Sequence, residues 1–341
     1  MGCPLLPQTS SGGSGRLKAS IPGGSSIYCD RELYNGTSGR MREGAPSRIS
    51  GVPSIGCRVP FIPSKPEQRR IAEILDAIGD AIQSTEHLIS KLQHVKQGLR
   101  HDLLTRGIDE DGEMRDPGRY PTQFGETSLG RLPTEWRVEP LAAVATFVTS
   151  GSRGWARYYS EHGALFIRIG NLSRKGIDLR LSDVAHVRPP AGGEGERTRV
   201  EKGDLLISIT ADLGITGVAP DDLGEAYVNQ HIALVRVDPV RVNPRWLGHF
   251  IAAREVQAQI RRHDDPGAKA GLNLPTVRGL LIAAPPKAEQ DEIAARIDAA
   301  DEALMAEEGY RGKLTVLKSG LQEDLLTGRV RVAKLLEDDA A

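Results

Sequence analysis

A chain of 341 residues is long enough for about two domains. Its formal net charge of −1 leaves no global basic field to advertise a polyanionic partner, so any such surface has to be local. No apolar run approaches the ~18 residues of a membrane span. The N-terminus lacks a charged region followed by an apolar core, and Cys3, Cys29 and Cys57 share no metal-ligand spacing. A reduced, cytoplasmic protein is the expectation.

Residues 1–60 are rich in Gly and Ser (Ser10-Ser-Gly-Gly-Ser-Gly15, Gly23-Gly-Ser-Ser26) and show neither a two-residue nor a 3.6-residue apolar period. They read as a disordered or remnant segment. From 61 to 107 the pattern becomes helical. Ile71, Leu75, Ile78, Ile82, Ile89, Leu92, Leu99 and Leu103 recur on three- and four-residue steps, interrupted at Thr85 and Lys96. At ~1.5 Å per residue such a helix is roughly 58 Å long. A stripe that narrow and that long needs a partner helix to bury it.

The partner is in the same chain. A second copy, opening at Pro285 and continuing as the spacer helix of residues 288–330, repeats the pattern with no gap: Pro63, Lys65, Glu67, Gln68, Ile71, Asp76, Leu92, Leu99 and Asp102-Leu-Leu-Thr105 align with Pro285, Lys287, Glu289, Gln290, Ile293, Asp298, Leu314, Leu321 and Asp324-Leu-Leu-Thr327. A shared opening, a shared ending and a shared length between them define an internal duplication. The two copies are expected to lie antiparallel as a coiled coil.

Residues 108–135 form a Gly-, Pro- and Asp-rich linker, with Leu132, Trp136 and Leu141 placed to pin it to the next domain. Residues 136–287 are the globular part. Strands are expected over 164–170, 203–210, 214–218, 232–237 and 280–284. A helix is expected from Pro244 through 262, with Trp246, Phe250, Ile251 and Ile260 buried. This mixture is α+β. Residues 331–341 are a short tail.

Between 151 and 180 the chain carries Arg153, Arg157, Arg168, Arg174, Lys175 and Arg180 against only Glu161 and Asp178. A Gly-bearing loop lets backbone approach phosphate, and arginine forks onto guanine or phosphate oxygens. One reading is a DNA-contacting face; the other is a solvated basic loop over a folded core with Tyr159 inside. The stretch 263–273, with Lys269 and Asn273, divides in the same way between a contact loop and a plain surface turn. Catalytic motifs fail at key positions. Pro220-Asp221…Glu225-Ala-Tyr227 has Tyr where a nuclease needs Lys, and Asn243-Pro244-Arg245-Trp246 has Arg where an adenine methyltransferase needs a second Pro. His87, His94 and His101 recur every two turns, too far apart to hold one metal, and read as a solvated face. Asn229-Gln-His231 reads as structural.

The duplicated helix, the linker ending in Leu129-Gly-x-Leu-Pro-x-x-Trp136, and the motifs Gly151-Ser, Tyr158-Tyr159, Phe166-Ile-Arg-Ile-Gly-Asn-Leu172 and Gly203-Asp-Leu-Leu206 together resemble the specificity subunit of Type I restriction-modification enzymes, over roughly residues 60–330. The resemblance implies a mixed α/β target-recognition domain flanked by two spacer helices. It implies a non-catalytic protein that binds double-stranded DNA, docks methyltransferase subunits through its helices and reaches the restriction subunit indirectly. S-adenosylmethionine, ATP and Mg would reside on those partner subunits, and no cofactor or metal on this chain. The DNA contacts expected are Ser152, Arg153, Arg157, Tyr158, Tyr159, Arg168, Asn171, Arg174, Lys175, Lys269 and Asn273. Only the second of the family's two recognition domains is matched; a homodimer on an interrupted palindrome would supply the second copy, and a monomer that binds methyltransferase through one half only is the competing outcome. The alternative is a truncated coiled-coil interaction protein that no longer binds DNA.

Overall fold

The structure is a computed structural model that describes residues 63–189, 192–263 and 271–333, together with strands β1 (Arg16–Ser20) and β2 (Ser26–Asp30). These two strands pair antiparallel in a segment where no regular element was expected; the remainder of residues 1–60 lies outside the described residues. The chain divides into two units, residues 1–76 with 319–341 and residues 77–318.

Helix α1 (Lys65–Thr105) shows what the duplicated opening motif does. Glu67, in its first turn, reaches back to accept from both the Ser64 N–H and its hydroxyl, each at 3.1 Å, satisfying a donor that the helix leaves free. Gln68 turns its amide onto the Pro63 carbonyl at 3.0 Å. Within this first unit Glu67 also takes the Arg331 guanidinium, with contacts of 2.8 to 3.0 Å. Ile71, Leu325 and Val332 bury one another beside it.

The second copy, α6 (Lys287–Leu326), opens in the same way. Gln290 donates to the Pro285 carbonyl at 2.8 Å, and Glu289 again receives an arginine, Arg115, at 2.5 Å. Glu289 further accepts the Ile108 N–H at 2.9 Å and the Trp136 indole N–H at 3.2 Å. Both helices end on left-handed glycines, Gly107 (φ 67°) and Gly328 (φ 75°). Within the second unit the helices run antiparallel: Lys318 lies beside Gly79, Lys96 pairs with Asp301, and Ile108 meets Glu289. The two interruptions of the apolar seam face inward. Thr85 is buried and returns its hydroxyl to the Ala81 carbonyl at 2.8 Å, and Lys96 is neutralised by Asp301.

After α1 the linker forms a hairpin, β3 (Phe124–Thr127) with β4 (Gly130–Pro133). The globular part then runs β5 (Arg137–Pro140), β6 (Ala145–Ser150), β7 (Tyr159–Ser160), β8 (Ala164–Ile167), β9 (Ala185–Val187), α2 (Gly193–Thr198), β10 (Arg199–Val200), β11 (Leu205–Ser208), β12 (Thr216–Val218), β13 (Ala226–Val228), β14 (Ile232–Val237), α3 (Pro244–Ile251), α4 (Arg254–Arg261), α5 (Leu274–Gly279) and β15 (Leu281–Ala284). One sheet has the order β10-β13-β8-β9-β7 and a second β12-β11-β14-β6, while β15 pairs with β5. Among the pairings of these described strands only β8–β13 is parallel. The architecture is the mixed α and β expected.

The strand expected over 232–237 is β14, with its inward run buried apart from Arg236. The long helix expected from Pro244 is two helices, broken at Ala252 and Ala253. Ala253 is extended (ψ 160°). The break turns Gln257 inward, where its amide donates to the carbonyls of Gly214 (2.8 Å) and Ile251 (3.0 Å). Trp246, Phe250, Ile251 and Ile260 are buried on either side. They join one core with Leu205, Ile207 and Val235 from the sheet, Leu103 and Leu104 from α1, and Ile293 and Ile297 from α6. Leu132, Trp136 and Leu141 belong to the same core, so the linker's end is packed. Among the described residues no helix is long and apolar enough to cross a membrane.

Replacing Glu289 by Ala strands the Arg115 guanidinium, the Trp136 indole and the Ile108 N–H together. Because the Arg115 and Glu289 side chains are only 10% and 8% exposed, E289A should lower the unfolding free energy by about 3 kcal/mol. Urea denaturation checks this, and a loss below about 1 kcal/mol would mean that water replaces the carboxylate.

Candidate nucleic-acid interface

Strand pairing brings four loops to one end of the two sheets. β8 and β13 are parallel and in register, so Arg168 and Asn229 leave them side by side, with Asn229 N–H on the Ile167 carbonyl at 3.0 Å. β6 and β11 both run antiparallel to β14. Their outgoing residues therefore meet the start of β14: Gly151 N–H reaches the Ile232 carbonyl (3.4 Å) and Ile209 N–H the His231 carbonyl (2.9 Å).

The loop leaving β6, residues 151–158, is held at three points. Gly151 lies against the Asn229 backbone so closely that a Cβ would stand 2.1 Å from the Asn229 carbonyl carbon. Arg197, at the end of α2, donates to the Thr149 hydroxyl, to the Ser150 carbonyl at 2.7 Å and to the Ser152 hydroxyl. Trp155 is the third anchor. It is buried, stacks on Phe166 at 5.6 Å and meets Tyr158 edge-on at 5.8 Å. Gly154 supplies the left-handed turn ahead of it (φ 83°). The residue inside this loop is thus Trp155, while Tyr159 is 47% exposed, with its ring edge-on to Phe166.

The expected contact residues separate by what their side chains already do. Arg153 and Arg157 are exposed; Arg157 lies over the Tyr158 ring at 4.9 Å. Tyr159 is exposed, Tyr158 and Arg168 are half-buried, and Lys175 is exposed. Ser152 is occupied by Arg197. Asn171 is 2% exposed, and its side chain is spent on the Arg168 N–H and the carbonyls of Arg180 and Asp183. That side chain shapes the loop after β8 and has no face left for a ligand. Arg174 is paired with Asp212 and donates to the Leu213 carbonyl at 2.8 Å. Asn273 caps α5, accepting the Thr276 N–H at 2.8 Å. Lys269 lies outside the described residues.

Two features at this end carry no sequence signal of contact. Ala211 is the described non-glycine residue with positive φ (60°), at the tip of the β11–β12 turn. Beside it, the His231 ring bonds the Thr210 hydroxyl at 2.7 Å and the Gln230 amide at 3.0 Å. Asn229, Gln230 and His231 are all half-buried at the same edge.

A second cluster joins this domain to the helices. Arg245, one residue into α3, forks onto Asp298 of α6 at 2.5 and 2.8 Å and reaches Asp178 at 2.9 Å. His249 gives Asp298 a further bond at 2.7 Å, and Arg100 of α1 donates to the His249 carbonyl at 3.1 Å. Burial pushes the imidazole below its ordinary pKa, so it is neutral and donates through Nε2. Burial pulls the Asp298 carboxyl up, but the bonds from His249 and Arg245 outweigh it and hold it at about 2. His249, Asp298 and Asp301 offer ligand atoms within 4.8 Å of one another. Arg245 and Lys96 already neutralise the two carboxylates, however, so the set works as an ion-pair network. His87, His94 and His101 are all exposed on α1.

No family model matches the chain. It is 22% identical over 272 residues to the putative type I restriction enzyme MjaX specificity subunit of Methanocaldococcus jannaschii, covering 80% of this chain and 59% of that one. It is 21% identical over 303 residues to the type I restriction enzyme EcoBI specificity subunit of Escherichia coli, covering 81% and 62%. The chain therefore spans about three fifths of the length of these relatives. A solved S subunit of a type I restriction-modification system from M. genitalium shares the fold, with a TM-score of 0.50 at 14% identity over 77% of this chain and 61% of that one. The chain resembles type I restriction enzyme specificity subunits over about four fifths of its length.

The seat of Gly151 should tolerate no side chain. G151A is expected to cost about 2–3 kcal/mol through steric overlap. G154A, where a Cβ meets open space, should cost only about 1–2 kcal/mol for its left-handed backbone. Thermal melts of the two variants rank them, and the reverse order would mean that residue 151 shifts freely.

The domain joint should weaken in acid. The folded-state pKa of His249 lies below its unfolded value near 6.5, so its contribution is full above that pH and lost as pH falls below it. Asp298, held at about 2, contributes fully above its unfolded value near 4 and loses that contribution as pH falls from about 4 toward 2. D298N should be less stable at pH 7 and should flatten the lower stage in melts recorded across pH.

Proposed function

We propose that this chain is a non-catalytic, sequence-specific DNA-binding subunit of a type I restriction-modification system, acting in the cytoplasm. The observation that carries the reading is the three-point anchoring of residues 151–158, which holds Arg153 and Arg157 exposed at an end where three other loops meet. Cations held out on a fixed loop meet phosphates and base edges without first being ordered, and that order is what specific readout needs. Arg153, Arg157, Arg168, Tyr159 and Lys175 are the side chains assigned to DNA. Ser152, Tyr158, Asn171, Arg174 and Asn273 are assigned to holding the loops.

The likeness to named specificity subunits supports the rest of the proposal. Methyltransferase subunits dock on α1 and α6, and the restriction subunit joins through them. Those partners hold S-adenosylmethionine, ATP and Mg. The target is double-stranded DNA, and a homodimer supplies the second half-site.

Selection from a random duplex library by the full chain, alone and with a methyltransferase subunit, tests this. A recovered interrupted palindrome supports two copies on one site. Recovery of no sequence favours the alternative, an interaction protein. On a selected duplex, R153A and K175A should each weaken binding and lower the slope of log affinity against log salt by about 1, with melting temperatures unchanged. A fall in melting temperature with binding spared would make the loop structural.

A further inference from the structure

We infer that Arg197 is a positioning residue for the recognition loop: it holds residues 150–152 in the conformation that presents Arg153 and Arg157. The inference rests on the DNA-binding reading for its consequence and on geometry alone for its mechanism.

Arg197 comes from α2, a short helix between β9 and β10 of the five-stranded sheet, and its guanidinium meets three points on the segment that leaves β6 of the other sheet. These are the Thr149 hydroxyl, the Ser150 carbonyl and the Ser152 hydroxyl. A planar fork with several donors in fixed geometry suits that task, and lysine, a single point charge, does not. The contact falls where β6 ends and the loop begins. Thr149 is buried and still in the ladder with β14, while Ser152 is already past it. On the far side of the loop Trp155 is sunk among Phe166, Tyr158 and Tyr227. Arg153 and Gly154 are exposed between these two anchors. With the Arg197 fork removed, Gly151 keeps its seat on Asn229, but Ser152 loses its tie and the span to Trp155 gains freedom. Ordering that span then falls to DNA, and it is lost from discrimination as well as from affinity.

Arg197 is itself exposed, so a direct phosphate contact is the competing role, and salt dependence separates the two. A phosphate contact contributes about 1 to the slope of log affinity against log salt; a positioning residue contributes nothing to it.

The test uses the full chain as wild type, R197A, R197K and S152A. Without DNA, trypsin cleavage after Arg153 and Arg157 is timed under native conditions. R197A and R197K should be cut there at least about tenfold faster than wild type, corresponding to ~1.4 kcal/mol of lost local order, with global melting temperatures within a degree or two. With a duplex selected by wild type and the same duplex carrying one changed base pair, R197A should lose about tenfold in the ratio of the two affinities, with an unchanged salt slope. S152A should reproduce part of that loss and add little to it in the double variant. A slope reduced by about 1 with unaltered cleavage would overturn positioning in favour of phosphate contact. A fall in melting temperature that accounts for the cleavage would overturn it in favour of a general structural role. Unaltered cleavage and unaltered discrimination would overturn it outright. If wild type selects no duplex, the DNA-binding reading fails, and the cleavage comparison still decides whether Arg197 orders the loop.

Discussion

Asp298 is shared by an arginine and a histidine that both stand on α3, and this shared carboxylate is what the rest of the second unit leans on. A helix of eight residues has little surface with which to fix its own orientation. Arg245 and His249 lie one turn apart, so a single acid on α6 takes both and sets the helix axis as well as its position. The same helix carries Trp246 and Phe250 into the core that runs from the four-stranded sheet to both long helices. Apolar burial supplies most of the cohesion, but it is non-directional. The ion pairs add direction, because a rotated α3 would leave a buried charge uncompensated. Arg245 also holds Asp178, so the loop that follows β8 is tied to the same joint.

The long helices solve a related problem with the same chemistry. An apolar seam of regular steps permits sliding by a heptad; Thr85 and the Lys96–Asp301 pair do not, since a slipped register would bury the lysine without its partner. The glutamate in the first turn of each copy then ties the helix start to an arginine just beyond the end of the other copy, Arg331 for Glu67 and Arg115 for Glu289. The repeated Glu-Gln dipeptide is therefore two separate devices. The acid captures an arginine, and the amide closes back on the proline carbonyl that precedes the helix.

The helices and β14 were legible in the sequence because their signals are local and long. Gapless repetition and a six-residue, mostly apolar run with three β-branched residues survive tertiary context. β9, β13 and the hairpin β3–β4 were not legible, since three or four residues give no period to read and form strands only by pairing with distant partners. The single helix expected from Pro244 failed for a tertiary reason. Its apolar positions do keep helical spacing, but the buried amide of Gln257 needs two carbonyls that a straight helix would not bring to it. In the candidate site the charge excess between 151 and 180 says nothing of which side chains already have partners. Composition counts Arg174 and Asn171 as free, whereas Asp212 and three backbone groups already hold them. Trp155 and Arg197 were missed because one aromatic in a polar loop, or one arginine in a glycine-rich turn, has no pattern around it.

The way residues 151–158 are fastened separates what the loop is made of from what keeps it in place. Gly151, Ser152 and Trp155 carry the fastening, while positions 153, 156 and 157 face solvent. Exchanging the exposed side chains removes no buried contact, so a new set of them would leave folding free energy nearly where it was. Such a loop can drift through many surface chemistries by single substitutions while the domain beneath it stays under unchanged selection for stability.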